Sequence, residues 1–158
     1  MGVGDKLIQF KKHTVYVLKV TSEGVDILHT WPGKGVMLPC QVTRAGTGLA
    51  WVNNEGLYIY DGEALKDVSL GKFTPQNWPV LESVKKPTTI GYDAESNKII
   101  IHTANNMLNP SLGTDLEHFA YSGLIYDIDV DAFSEISNLV NWYSVDRTFK
   151  RSTTTDID

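Results

Sequence analysis

One cysteine, Cys40, stands among the 158 residues, which excludes an intrachain disulfide and any multi-cysteine metal site. Its plain reading is a small half-buried side chain after Pro39, since no histidine lies near it in sequence to activate a thiol. Positive charge is scarce and scattered. Lys11-Lys12, Lys85-Lys86 and Arg147 with Lys150-Arg151 are small local groups in a chain of net charge −5, so a phosphate backbone finds no electrostatic footprint and no direct nucleic-acid partner is expected. No apolar run approaches the ~18 residues that a membrane span needs, and the first residues do not read as a signal peptide. The expectation is a soluble chain, made in the cytoplasm, with no membrane partner.

What is present is ordinary globular composition, 42% apolar and 21% charged, enough for one sizeable core. The stretch from Gly48 to Ser69 organises it. Leu49-Ala50-Trp51-Val52 and Leu57-Tyr58-Ile59-Tyr60 flank Asn53-Asn54-Glu55-Gly56, and Asp61-Gly62 leads into a third run around Leu65, Val68 and Leu70. Asn and Gly accept the positive φ of tight hairpin turns, so this reads as an antiparallel meander with Trp51 and Tyr58 in its core. A weaker copy runs from Gly123 to Ser137, with Tyr126-Asp127 in the place of Tyr60-Asp61 and Phe133, Ile136 in the places of Leu65, Val68. Repeated meanders mark the blades of a β-propeller.

The rest of the chain extends the pattern. Asp5 to Phe10, a turn at Lys11-Lys12-His13, Thr14 to Val20 and Val25 to Leu28 form a first meander, and Trp31-Pro32-Gly33-Lys34-Gly35 reads as a loop. Gln76 to Lys86, with Leu81 and Val84 spaced by three, suggests one or two helical turns ending before Pro87. Thr88 to Tyr92, a turn at Asp93 to Asn97 and Lys98 to Thr103 open a third meander, followed by a polar insertion from Ala104 to Tyr121. The predicted fold is all-β: antiparallel β-meanders forming about three blades of a propeller-like domain over residues 5–30, 40–73 and 88–137. Asn141 to Phe149 reads as the start of another strand pair within 141–158, without a sequential partner. A closed propeller usually has four to eight blades, so the expectation is an incomplete one.

DKLIQFKKHTVYVL, GKGVMLP, TGLAWVNNEGLYIYDG, IGYDAESNKIIIHT and SGLIYDIDVDAFSEI, in that order, resemble the propeller domains of tail and head-to-tail connector proteins of tailed bacteriophages, particularly nozzle or ring subunits. Kelch-type blades are a weaker match, because their double glycine is absent. The phage resemblance implies a virion structural or assembly protein, made in the host cytoplasm and working through protein contacts rather than catalysis. Implied partners are other virion proteins, further blades of a longer chain, or copies of itself in a ring. The alternatives are a propeller-type module binding glycan or peptide through loops such as Gly33 to Pro39 and Ala104 to Tyr121, and a propeller glycoside hydrolase.

Asp127, Asp129 and Asp131 would share one face of a strand and could offer oxygens to Ca²⁺. They would lie ~6–7 Å apart per step, however, and the calcium-loop pattern fails at Ala132 and Asn138. His13, His29, His102 and His118 show no metal-ligand spacing, so neither metal nor cofactor is expected. Asp61, Asp93, Glu95 and Asp127 are available for glycoside chemistry, but each sits in or beside a turn, where acidic residues are common. Trp31, Trp78, Trp142 and Tyr143 fall in loops or ragged ends and are the candidate interface residues, with core burial the competing reading.

Overall fold

The computed structural model describes residues 1–80, 87–103 and 122–136. Among these residues twelve strands form three four-stranded antiparallel sheets, each wound in sequence order. The first sheet holds β1 (Gly2–Val3), β2 (Lys6–Phe10), β3 (Thr14–Thr21) and β4 (Gly24–Pro32). The second holds β5 (Val42–Ala45), β6 (Gly48–Val52), β7 (Leu57–Tyr60) and β8 (Leu65–Asp67). The third holds β9 (Thr89–Asp93), β10 (Lys98–Thr103), β11 (Ser122–Asp127) and β12 (Ala132–Ile136). The fold is all-β and blade-like, and the stack of sheets is not closed.

Period-two burial explains how the sheets stack, because alternate side chains of a strand face opposite ways. In the second sheet Leu49, Trp51, Tyr58 and Tyr60 pack in one cluster with Ile8, Val15 and Val17 of the first. Ala50, Val52 and Leu57, on the opposite face, cluster with Ile90, Ile99, Ile101, Leu124 and Tyr126 of the third. The middle sheet is therefore apolar on both faces, and every residue of β6 is buried. Cross-strand pairing places Trp51 opposite Tyr58 and Leu49 opposite Tyr60, so large rings meet on the face toward the first sheet.

The repeat seen in the sequence has a structural counterpart. Tyr60 pairs with Leu65 and Tyr126 with Phe133. The aspartate after each tyrosine closes the turn: Asp61 accepts from the Glu63 and Ala64 amides at 2.8 Å each, and Asp127 from those of Asp129 and Val130 at 3.1 and 3.3 Å. These are Asx turns, a backbone arrangement that a short carboxylate favours.

Several elements differ from the sequence reading. A short strand, Gly2–Val3, precedes the first meander, and β4 runs on to Pro32 rather than ending near Leu28. Trp31 is thus a strand residue rather than a loop residue. The three aspartates do not share a strand face, because β11 ends at Asp127 and Asp129 and Asp131 lie in the following turn. At the start of the expected helical segment, the Trp78 amide donates to Thr74 O at 3.1 Å, a single turn. Leu81 and Val84, the Ala104 to Tyr121 insertion, and the strand expected over Asn141 to Phe149 lie outside the described residues.

Candidate interaction site

A loop between the first two sheets is held at several points by hydrogen bonds to its backbone. Gly33 N donates to His13 O at 2.7 Å and Val36 N to Lys11 O at 2.9 Å, tying both ends of the segment to the β2–β3 turn. Gly35 is required there, since a β-carbon would meet Lys11 O at 2.2 Å. Two side chains of the middle sheet clamp the loop from beneath. Asn53 Nδ2 donates to Gly33 O at 3.0 Å and Gly35 O at 2.9 Å, while Trp51 Nε1 donates to Lys34 O at 2.7 Å. Gln41, buried at the far end, accepts from the Met37 and Leu38 amides at 2.9 and 2.8 Å and donates to Val52 O at 3.2 Å. Each of these buried amides is satisfied by backbone partners, which fixes the loop in one conformation.

The loop forms one wall of a cavity of about 610 Å³, within the ~300–1,000 Å³ range of ligand sites. Met37, Leu38 and Pro39 line it from the loop, and Phe10 and Val36 from behind. Val42, Thr43 and Arg44 of β5 line the other side. Arg44 is exposed, and its guanidinium donates to Gly2 O at 3.2 Å. Cys40 is half-buried beside this loop, its thiol pKa raised by burial, with Sγ 3.7 Å from Thr88 O.

A second surface lies on the far side of the first sheet. Leu7 pairs with Leu18 and Leu18 with Ile27, so the three form a row; Val20 and Val25 form the next. Ile27, Val20 and Val25 are 62%, 60% and 59% exposed, and Leu7 is 42% exposed. The opposite face of the same strands holds Ile8, Val15 and Val17, all buried against the middle sheet.

No protein-family model matches this sequence, and no curated protein matches it.

The candidate residues scatter. Trp78 is 5% exposed, with its indole nitrogen donating to Asn53 O at 2.8 Å and its ring against Phe73 and Phe133. Trp31 is half-buried between the first two sheets, with ring centroids 5.2 Å from Tyr60 and 6.2 Å from Trp51. Trp142 and Tyr143 lie outside the described residues. The aspartates of the third sheet have separate partners: Asp127 pairs with Lys98 at 3.3 Å, Asp129 accepts from Asn97 at 2.6 Å, and Asp131 pairs with Lys72 at 2.6 Å and Lys66 at 3.3 Å. The Lys72 ammonium and the Tyr126 hydroxyl hold Asp131 well below the usual carboxylate range, and this carboxylate ties the third sheet to the second. Among the described residues no three His, Cys, Asp or Glu side chains gather as a metal site.

Of the carboxylates considered for glycoside chemistry, Asp93 and Asp127 share a sheet face on either side of Lys98, whereas Asp61 caps a turn of the middle sheet. His29 stacks on Trp31, and burial lowers the His102 pKa; His118 lies outside the described residues. Sequence reasoning singled out the Gly33 to Pro39 loop but missed Gln41 and Asn53, which hold it. The signal available was Gly33-Lys34-Gly35 itself, since paired glycines mark close backbone approach.

Proposed function

We propose that this chain is a structural or assembly protein of a tailed-phage particle, a tail or connector component that acts through protein contacts and carries out no reaction of its own. The supporting observation is the uncovered apolar face of the first sheet, with Val20, Val25 and Ile27 more than half exposed, in a molecule whose sheets otherwise stack face to face. Contiguous exposed apolar surface of this kind marks contact sites. The partner is a further blade, from a neighbouring virion protein or from another copy in a ring. The phage setting rests on the sequence resemblance.

Two measurements test the reading. Light scattering at micromolar protein should give a mass above the 17.6 kDa of one chain, or addition of the particle's other tail proteins should produce a stable complex. Quantitative mass spectrometry of gradient-purified particles from the encoding phage should find the chain at fixed stoichiometry. Its absence from particles overturns the proposal.

A further inference from the structure

We propose that the cleft between the Gly33 to Gln41 loop and β5 binds an extended peptide segment of another protein, added as a strand alongside β5, with an apolar side chain in the cavity and a carboxylate on Arg44. The placement rests on the strand's own periodicity. Consecutive side chains of a strand point to opposite faces, so three consecutive residues, Val42, Thr43 and Arg44, can all line one cavity only if it runs along the strand's edge. β5 is an edge strand of the second sheet, with β6 on one side and no strand hydrogen-bonded on the other among the described residues. Among the described residues no other strand hydrogen-bonds to its outward backbone groups, the condition for strand addition, the mode in which main-chain bonds supply affinity and side-chain pockets supply specificity.

The chemistry of the lining selects the ligand. Phe10, Val36, Leu38 and Val42 present aliphatic and aromatic surface, which suits a branched apolar side chain better than a sugar ring with its many hydroxyls. Arg44 spends one donor contact on Gly2 O, leaving others of its planar fork for a carboxylate. Val42 and Arg44 are two residues apart and pair with Trp51 and Leu49 of β6, so they share one face. A strand lying antiparallel to β5 places an apolar residue opposite Val42 and an acidic one opposite Arg44, also two residues apart. Because the added strand runs opposite to β5, the residue facing Arg44 comes first, and the predicted motif reads acidic-x-apolar from the N-terminus. The wall needs no rearrangement to receive it, because Gln41 and Asn53 already hold the loop, and a preorganised site avoids an ordering cost on binding.

The test uses the full-length chain and a hexapeptide labelled at its N-terminus, fluoresceinyl-Thr-Thr-Asp-Thr-Leu-Thr-amide, followed by anisotropy. Saturable binding is expected, at least about tenfold weaker when Asp and its neighbouring Thr are exchanged so that Leu and Asp become adjacent, or when Asp becomes Lys. Arg44→Glu should abolish binding of the Asp peptide and restore it to the Lys peptide, a reciprocal swap that a misfolded variant could not show. Amide exchange at Val42 to Ala45 should slow on peptide addition. Failure of the wild-type chain to bind, indifference to the charge swap, or displacement of the peptide by dodecanoate or by an oligosaccharide without any effect on β5 amide exchange would overturn the proposal. Particle composition and self-association do not enter these readouts, so this site and the assembly role fail or stand separately.

Discussion

The first and second sheets are built from the same four-strand meander, yet β6 is buried along its whole length and β4 is exposed at nearly every position. Apolar content alone does not separate them, since β4 contributes Val25, Ile27, Leu28 and Trp31 alongside Asp26, His29 and Thr30, while β6 contributes Leu49, Ala50, Trp51 and Val52. Position in the stack does. A sheet with neighbours on both faces buries both of its alternating residue sets, whereas a terminal sheet buries one and leaves the other in water. The apolar residues left on the outer face of the first sheet therefore mark a place where stacking could continue.

The largest expected effect breaks the middle sheet. Trp51 is fully buried between Phe10, Trp31 and Tyr58, and Trp51→Ala should cost ~3–5 kcal/mol in denaturant unfolding. A variant as stable as wild type would remove the two-faced core. Next is Asn53→Ala, which strips the partner from the Gly33 and Gly35 carbonyls and from the Glu55 and Gly56 amides. Loss of ~1–3 kcal/mol is expected from the orphaned groups, together with faster amide exchange at Val36 and Met37; unchanged exchange there would mean that the loop is held by other means.

The link between the second and third sheets should respond to acid. Asp131 has its folded pKa depressed, first by the hydrogen bond from Lys72, so its contribution is present above the unfolded carboxylate value of ~4 and is lost as pH falls through the lower folded value. Melting temperature should therefore fall less between neutral pH and about pH 2 in Asp131→Asn than in wild type. Identical acid profiles would show that this pair does not hold the sheets together. The smallest effect on stability belongs to the first sheet's outer face: Ile27→Lys should change unfolding free energy by no more than about 0.5 kcal/mol while lowering the mass seen by light scattering. Any large destabilisation would show that this face is covered within the chain itself.

The meanders were readable because their turns announce themselves. Asn53 to Gly56, Asp61-Gly62 and the repeated Tyr-Asp pair each combine a turn residue with flanking apolar runs, and hairpin register follows from such local signals. Gly2–Val3 is too short to carry any pattern, and Trp31-Pro32-Gly33 looks like a loop because proline and glycine punctuate it, although the strand persists to Pro32. The cavity was legible only as a loop. Its shape depends on Asn53 Nδ2 reaching Gly33 and Gly35, about twenty residues earlier in the chain, and on buried Gln41. A polar residue beside a turn gives no sign of which distant carbonyl it will meet. Burial of Trp78 depended likewise on a partner in another segment, the Asn53 carbonyl.

Because the middle sheet draws its two half-cores from different neighbours, it has no independent route to or from the native state. Peeling away the first sheet uncovers Trp51 and Tyr58, and peeling away the third uncovers Val52 and Leu57. Local opening should therefore begin at the ends of the stack, where β4 amides exchange fastest, and β6 amides should exchange only through global unfolding. During synthesis the same dependence sets an order: the Leu49 to Tyr60 hairpin can form early, but it becomes lasting only after β11, more than sixty residues later in the chain, has emerged to cover its second face.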